Sequence, residues 1–502
     1  MKDIKKNLLN KKIFAKNRTN PFSHENKTRV NKENKKAINI RGPRTAKKIY
    51  FENLKKHKNK KDKKITYGNI PIISYIYKSG FILILLFIFI LMPLYFKKID
   101  IEIGPIKVGY YVYSMRNGGI ERVFSVLIKH LSKEKNFIFY LITRVRRKYG
   151  EYPIPNSTRR IVLLNQRMNL YQALEKEHID ILIYNYENKE INNLKKLKKT
   201  KVIYYNHSSF LYWIYQQHIY KFENSVYNMY KDCKYVISLI PLEHDYLLKR
   251  WGINSILMDN PSTFEYDSII PSDLSNKNII MIGRVDRVKR YHLGIIAMET
   301  IIKEIPECQM IIVSEVDGNL KNLVKKLNLE NNTLFTGYQE NIEKYLKNSS
   351  LHILASENES YSMVLTEVKI FGIPSIICGL DFLTLAKGGT IIVYDDDPDT
   401  IAKEAIKILK DDKYRKRLGK EARNSMKNRK NELIAKRWVK IFLSVYKGDD
   451  KSYQKLLLSN NNDKVSENEA KEILNNQLHL LQKRRSRFKS LTFEQLINFS
   501  IL

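Results

Sequence analysis

Cysteine is scarce in this chain of 502 residues. Only Cys233, Cys308 and Cys378 occur, and they lie far apart. A small disulfide-stabilised domain carries an even set of cysteines, and a zinc site places ligand pairs a few residues apart. The sequence supports neither. Cys233 and Cys378 lie in or near apolar runs, which favours buried free thiols and leaves the redox compartment open.

Acidic residues are also in short supply, with 52 Asp and Glu against 89 Lys and Arg, so that the formal net charge is +37. Such a charge suits nucleic acid or an anionic membrane surface as partner. Roughly half of the excess, however, lies before residue 79, in a stretch rich in Lys and Asn with almost no hydrophobic periodicity. We therefore predict a disordered basic extension over residues 1–78 and no nucleic-acid partner.

Charge is absent altogether from residues 80–96, which are almost entirely apolar. The run has the length of a short membrane span and begins too far from residue 1 to be a cleaved signal peptide. We predict a single transmembrane helix over residues 79–98. Lysines are denser before it than after it, so the positive-inside rule predicts a type II orientation, in the ER or Golgi if the source is eukaryotic.

Beyond residue 100, short apolar runs alternate with helical patterns, as is typical of parallel, doubly wound α/β sheets. In the first series, over residues 105–260, the predicted strands are Val108–Tyr113, Phe137–Thr143, Ile181–Tyr184, Val202–Asn206 and Tyr235–Leu239. In the second, over residues 261–430, they are Ile279–Gly283, Met310–Ser314, Thr333–Thr336, Leu351–Leu354, Ser375–Cys378 and Thr390–Tyr394. A helix at 431–450 and a polar basic tail at 451–502 follow.

Two carboxylates, Glu359 and Glu367, follow the predicted strand Leu351–Leu354. From Met363 the pattern predicts a helix that ends near Gly372, which places Glu359 in the loop before the helix and Glu367 about one turn inside it. Amides at a helix N-terminus favour phosphate, and carboxylates accept hydrogen bonds from sugar hydroxyls. The segment therefore indicates a nucleotide-sugar site, although a helix cap beside a solvated Glu is the simpler interpretation of the bare pair.

A pair of cations, Arg284 and Lys289, follows the predicted strand Ile279–Gly283. Open α/β sheets bind ligands at the carboxyl ends of their strands, and a diphosphate leaving group needs cationic neutralisation. In a lysine-rich chain the two could equally be surface charges. Their order and distance relative to the Glu pair favour the ligand site.

Paired glycines, Gly118 and Gly119, lie between the predicted strand Val108–Tyr113 and a predicted helix at Ile120–Leu131. Because glycine has no side chain, such a turn lets the backbone approach a ligand closely at the helix N-terminus. A Gly-Gly turn alone is weak evidence for a ligand site, but this turn precedes the pair of cations and the pair of glutamates along the chain.

Together the three elements resemble the GT-B glycosyltransferases, in particular the large retaining family 4. The Glu pair matches that family's E-x7-E motif, Arg284 and Lys289 its G-R-x4-K element, and residues 118–122 its G-G-x-E-R loop. The resemblance covers about residues 107–446. It implies two Rossmann-like domains, an acceptor domain and then a donor domain, with a cleft between them. It also implies final helices that return to the first domain, where Trp438 and Phe442 would pack.

The resemblance further implies roles for single residues. Arg284 and Lys289 would neutralise the diphosphate as the sugar–oxygen bond breaks. Glu367 would bind the ribose, and Glu359 the hydroxyls of the transferred sugar. His207, after the predicted strand Val202–Asn206, would contact the same sugar. Without the resemblance, a structural role for that histidine would be about as plausible.

The loops add weaker expectations. Amides at Ser362 and Met363 would contact phosphate, and Gly118 and Gly119 would close over the donor or admit the acceptor. The acidic run Asp395–Asp399 could hold Mg²⁺ or Mn²⁺, but it ends a predicted strand and caps a helix. We therefore expect no metal and no cofactor.

The sequence thus predicts a membrane-anchored glycosyltransferase with a nucleoside-diphosphate sugar as donor and a glycan or lipid-linked acceptor. Two loops, Ser314–Gly318 and Gly379–Gly389, depart from the family pattern and leave the donor's identity open. A degenerate GT-B domain that only binds glycan or lipid is the alternative, and a membrane-tethered nucleic-acid binder rests on charge alone.

Overall fold

The computed structural model describes residues 104–116, 118–186, 190–209, 230–231, 233–458 and 465–484. The predicted extension 1–78 and the predicted transmembrane helix 79–98 lie outside these residues. Within the described ranges, no helix is both long enough and apolar enough to cross a membrane.

The first domain is built on a seven-stranded parallel sheet in the order β3-β2-β1-β4-β5-β6-β7. The strands are β1 Ile106–Val112, β2 Phe137–Thr143, β3 Arg159–Val162, β4 Ile181–Tyr184, β5 Lys201–Tyr205, β6 Tyr235–Ser238 and β7 Ile256–Leu257. The helices described among them are α1 Gly119–Leu131, α2 Leu170–Glu177, α3 Glu190–Leu194 and α4 Pro241–Trp251.

The second domain is built on a six-stranded parallel sheet in the order β10-β9-β8-β11-β12-β13. The strands are β8 Ile279–Ile282, β9 Met310–Val313, β10 Thr333–Phe335, β11 Leu351–Leu354, β12 Ser375–Cys378 and β13 Thr390–Val393. The helices are α5 Tyr291–Glu304, α6 Gly318–Lys326, α7 Glu343–Lys347, α8 Met363–Ile370, α9 Pro398–Lys410 and α10 Asp412–Ser425.

The predicted strands are confirmed in both sheets, with bounds that differ by a residue or two. The central strands β8, β9, β11 and β12 are buried along their whole length. Strands buried on both faces read as continuous apolar runs, which is why the sequence revealed them. Strand β3 was missed because it begins with Arg159 and Arg160 and lies at the sheet edge, where only two of its residues are buried.

The chain then returns to the first domain through α11, Asn431–Lys447. The Trp438 ring lies edge-on to Tyr205, with centroids 5.2 Å apart, and Phe442 lies 5.7 Å from Phe137. The predicted packing of both side chains on the first domain is thus confirmed. The apolar face of α11 completes the core of that domain.

Two more helices follow in a region where the sequence interpretation assigned none. They are α12, Asp450–Leu458, and α13, Glu467–Arg484. Tyr453 of α12 packs edge-on against Tyr235 of β6, with ring centroids 5.1 Å apart. In α13 the buried residues recur at helical spacing; they are Ile473, Leu474, Gln477, Leu478, Leu480 and Leu481. The sequence predicts a polar tail here because the polar residues between these apolar positions weaken the helical pattern.

Candidate functional site

The predicted site residues of the second domain come from neighbouring strands. β8 and β11 are paired in the centre of the sheet, with Ile279 opposite Leu351. The loop after β8 carries Arg284 and Lys289, and the loop after β11 carries Glu359. Because β9 lies on the far side of β8, successive connections diverge at this point, which is where open α/β sheets bind ligands.

Lys289 and Glu359 form an ion pair, with 2.6 Å between Nζ and Oε1. Both side chains are largely buried. A short helical turn, Arg287–Lys289, presents the lysine, and the Asp286 carboxylate accepts from the Lys289 amide at 3.0 Å. The sequence predicted both residues for the site but not this bond between them. Because the bond is charge-assisted and partly buried, it fixes the positions of the ammonium and the carboxylate.

Arg284 is held far more loosely. Its side chain is 73% exposed, and its nearest carboxylate is Asp286, at 3.8 Å. The preceding residue, Gly283, has φ +139°, a conformation that favours glycine and turns the chain out of β8. Arg284 is therefore a cation that can reach an incoming anion without giving up a strong partner.

The N-terminus of α8 begins at a strained residue. Ser362 has φ +66°, although it is not glycine, and its hydroxyl accepts from the Leu365 amide at 3.3 Å. The hydroxyl of Tyr361 donates to Asp259 at 2.8 Å. The amide of Met363 belongs to the first turn, whose amides have no intrahelical acceptor. The helix end is thus fixed in place with donors in its first turn.

Glu367 is buried and makes contacts that the sequence did not predict. Its Oε1 lies 2.8 Å from Nη2 of Arg122, in the first domain, and accepts from the Thr263 hydroxyl at 2.6 Å. Its Oε2 is also buried and has no hydrogen-bond partner among the described residues. A buried carboxylate oxygen normally has a donor, so this atom is suited to a ligand hydroxyl.

The two glycines of the first domain differ from each other. At Gly118 an added Cβ would lie 1.7 Å from Oε2 of Glu121, because that side chain folds back over the backbone. At Gly119 a Cβ would meet nothing within 4 Å. Burial raises the pKa of Glu121, and the nearby charge of Arg284 partly opposes this shift. The predicted Gly-Gly loop therefore lies close to the cation of the second domain.

His207 follows β5 and lies against Tyr205, with ring centroids 4.0 Å apart. Burial lowers the pKa of His207 to about 3, so the imidazole is neutral. Its Nε2 is buried and lacks a hydrogen-bond partner in the described part of the chain. A neutral imidazole with an unused nitrogen can exchange a hydrogen bond with a hydroxyl.

A buried carboxyl group supports the loop that carries His207. Glu243 Oε1 accepts from the Tyr230 hydroxyl at 2.8 Å and from Asn206 Nδ2 at 3.2 Å, and Asn206 Oδ1 accepts from the Ser208 amide. Burial raises the pKa of Glu243 to about 7, and these donors lower it in part. The sequence interpretation did not single out Glu243.

The acidic run at the end of β13 has structural partners. Asp396 pairs with two arginines, Asp395 accepts from Thr400, and Asp397 caps α9. Over the described ranges, no three His, Cys, Asp or Glu side chains are grouped so as to hold a metal ion.

The second domain is similar in sequence to known proteins. Residues 263–425 match the family model of the glycosyl transferases group 1. The N-acetyl-alpha-D-glucosaminyl L-malate synthase of Bacillus anthracis is 30% identical over 183 residues, which are 35% of this chain and 47% of that protein. Residues 263–425 thus form a glycosyltransferase group 1 domain, while the match spans less than half of that relative.

Proteins that match over a longer part of the chain have lower sequence identity to it. A Campylobacter jejuni alpha-1,4-N-acetyl-D-galactosaminyltransferase that acts on an undecaprenol-linked GalNAc glycan is 23% identical over 367 residues, or 68% of this chain and 99% of that enzyme. Sucrose-phosphate synthase from Thermosynechococcus elongatus superposes with a TM-score of 0.57 at 18% identity, over 68% of this chain and 100% of that one. Anabaena Alr3699/HepE, solved with UDP and glucose, has a TM-score of 0.55 at 15% identity and the same coverage. The two-domain α/β fold is that of GT-B proteins.

Proposed function

We propose that this protein transfers a sugar from a nucleoside-diphosphate sugar to a glycan or lipid-linked acceptor, with retention, as in family 4. The observation that carries the proposal is the convergence of Lys289, Glu359, Arg284 and the N-terminus of α8 at the carboxyl ends of β8 and β11. Cations and helix amides suit the diphosphate, and the carboxylate suits the sugar.

The donor would span the site from Glu367 to His207. The unpartnered Oε2 of Glu367 would accept from a ribose hydroxyl, which gives that buried atom a donor. Lys289 and the exposed charge of Arg284 would face the diphosphate. Glu359, held by Lys289, would accept from hydroxyls of the sugar, and neutral His207 would bond to another.

In the transfer step, the bond between the anomeric carbon and the β-phosphate oxygen breaks. A bond from the acceptor oxygen to the same face of that carbon forms, and the acceptor proton passes to a phosphate oxygen. Arg284 and Lys289 stabilise the charge on the departing diphosphate. This reaction needs neither a protein nucleophile nor a cofactor.

A membrane anchor belongs to the same proposal and rests on the uncharged residues 80–96. We propose a single-pass protein of type II orientation, in the ER or Golgi if the source is eukaryotic. Carbonate extraction of membranes and protease protection of a tag at each end would check both points. Release of the full chain into the carbonate supernatant contradicts the anchor.

The activity is tested with the full chain in detergent. Binding of UDP, GDP and ADP is measured by calorimetry, and nucleotide release is followed with a panel of the matching nucleotide sugars. We expect one nucleotide to bind and one of its sugar conjugates to be turned over. Binding of a glycan or lipid without binding of any nucleotide would favour the non-catalytic alternative and reject the proposal.

A further inference from the structure

The helix α13 is packed onto the loops of the second domain. Gln477 Nε2 donates to the Gly379 carbonyl at 2.6 Å and to the Asp381 carboxylate at 2.7 Å. A Cβ at Gly379 would lie 2.1 Å from a methyl group of Leu480, so the helix lies directly against this backbone. The end of α13 is thereby fixed next to the residues that follow β12 and β13.

At that end, Arg484 holds Asp396 through two parallel hydrogen bonds. Nε lies 2.5 Å from Oδ2, and Nη2 lies 2.9 Å from Oδ1. Nη1 of the same guanidinium donates to the Glu357 carbonyl at 3.3 Å. The Arg484 and Asp396 side chains are only 10% and 12% exposed. Bidentate pairing of this kind is strong and fixes orientation as well as distance.

Arg290 holds the same carboxylate from the loop after β8. Its Nη1 lies 2.7 Å from Oδ2 of Asp396. Its Nε donates to the Ala355 carbonyl at 2.6 Å, and its Nη2 to the Ser356 carbonyl at 3.3 Å. Two guanidinium groups joined by one carboxylate therefore bond to three successive carbonyls, those of residues 355–357.

This arrangement ends two residues before Glu359. The amide of Glu357 donates to the Val288 carbonyl at 2.7 Å, and Val288 directly precedes Lys289. The segment 355–357 is thus bonded both to the arginines and to the turn that presents Lys289. Its position determines where the ion pair between Lys289 and Glu359 can form.

Two members of the cluster have strained backbones. Arg290 has φ +48° and Asp396 has φ +52°, in the left-handed region where glycine is favoured. Such strain persists where the surrounding structure holds it, often at functional sites. Burial alone would raise the pKa of Asp396, but Arg484 and Arg290 lower it to about 2, so that the carboxylate stays ionised.

We propose that Arg484 is a positioning residue for sugar transfer. Through Asp396 and the Glu357 carbonyl it holds the loop that presents Glu359 to the sugar. The proposal rests on the proposed function and extends it to α13, which lies outside the matched residues 263–425. Arg484 acts on the loop and touches no substrate.

The test compares Arg484→Ala and Arg484→Lys with Lys471→Ala, a control on the same helix whose side chain is half-exposed and pairs with Glu467. In the full chain, Arg484→Ala should lower kcat about tenfold or more, as expected for loss of a charged hydrogen bond. Affinity for the free nucleoside diphosphate should fall by a smaller factor than kcat, because the loop is bonded to the turn that presents Lys289 but Glu367 lies on α8 and does not contact the cluster. Lys471→Ala should match wild type.

Hydrogen exchange gives a readout that does not need activity. In Arg484→Ala, the amides of residues 355–362 should exchange faster, while the strand β11 keeps its protection. If Arg484→Ala does not fold, Arg484→Lys tests the proposal instead. Lysine keeps the charge but cannot bond both Asp396 oxygens and the Glu357 carbonyl. We expect it to lower kcat several-fold.

Wild-type kcat in Arg484→Lys, or unchanged exchange over 355–362 in a folded Arg484→Ala, overturns the proposal. Inactivity of the wild type toward every donor would instead count against the proposed function. In that case the exchange result alone decides whether Arg484 holds the loop.

Discussion

Arg122 of the first domain lies 2.8 Å from the buried carboxylate of Glu367 in the second. The pair joins the Gly-Gly loop to the helix that carries the Glu motif. Thr263 is the other described donor to this carboxylate. The contact therefore joins the two domains at the residue proposed to bind ribose.

Substituting one partner of this pair should lower the free energy of unfolding more than substituting both. Arg122→Ala leaves a buried carboxylate with only a hydroxyl donor, and breaking a buried pair in this way costs about 3–5 kcal/mol. Adding Glu367→Gln should recover part of that loss. Urea unfolding of the two single variants and the double variant measures the coupling, and strictly additive losses would contradict a stabilising ion pair.

The two cations of the loop after β8 should both matter for turnover. Arg284→Ala and Lys289→Ala each remove charge that stabilises the leaving diphosphate, so each should lower kcat at least about tenfold. Arg287→Ala is the matched control, because this exposed arginine lies in the same turn. Steady-state nucleotide release gives the comparison. Equal rates of nucleotide release in all three variants would contradict the proposal that Arg284 and Lys289 neutralise the diphosphate.

The two glutamates should separate binding from transfer. Glu367→Gln should weaken binding of the free nucleoside diphosphate, because a neutral amide is a poorer acceptor for ribose hydroxyls. Glu359→Gln should leave that affinity nearly unchanged and depress kcat. Loss of a charged hydrogen bond, about 1.5–3 kcal/mol, corresponds to a ten- to hundredfold effect. If both variants only melt earlier, with normal activity per folded molecule, the carboxylates are structural.

Chelation should leave the reaction intact. Cationic side chains and helix amides are expected to balance the diphosphate charge, so excess EDTA should not abolish nucleotide release by the wild type. The control is the same assay with added Mg²⁺ or Mn²⁺. Complete loss in chelator, restored by either ion, would revive the acidic run Asp395–Asp399 as a metal site.

Stability should depend on pH through Glu243. Its folded-state pKa is about 7, above the usual value, so between about pH 4.5 and 7 the folded state keeps a proton that the unfolded state has released. The free energy of unfolding should therefore fall as pH rises through this window, by at most about 1.4 kcal/mol per pH unit.

Glu243→Gln mimics the protonated form, so it should flatten the fall in stability with pH. Exposed Glu175→Gln should leave the dependence as it is in wild type. Denaturant unfolding at several pH values gives the slope. A slope in Glu243→Gln equal to that of wild type would show that another group titrates.

The sequence revealed those parts of the fold that have a local signature. Strands such as β8 and β11 are buried on both faces and read as apolar runs, and glycine at 283 marks the turn that follows. The edge strand β3 lacks that signature. Arg122 is separated from Glu367 by 245 positions, and no local pattern can show that they meet.

The site was predicted in part for the same reason. Residue types in order along the chain identified Arg284, Lys289, Glu359 and Glu367 as candidates. The bond between Lys289 and Glu359 depends on which loops the second sheet places side by side, and the bond from Arg484 to Asp396 depends on where α13 packs. Buried Glu243 gave no signal, because a single carboxylate on a helix reads as exposed until its neighbours are known.

The packing of α11 on the first domain has a consequence for the order of synthesis. Phe137 and Tyr205 leave the ribosome more than two hundred residues before Phe442 and Trp438, which cover them. Until then the nascent first domain exposes apolar surface, and its sheet cannot reach its final core. Folding of the first half must therefore finish after the second half is made, so a chain interrupted near residue 430 should depend on chaperones and aggregate without them.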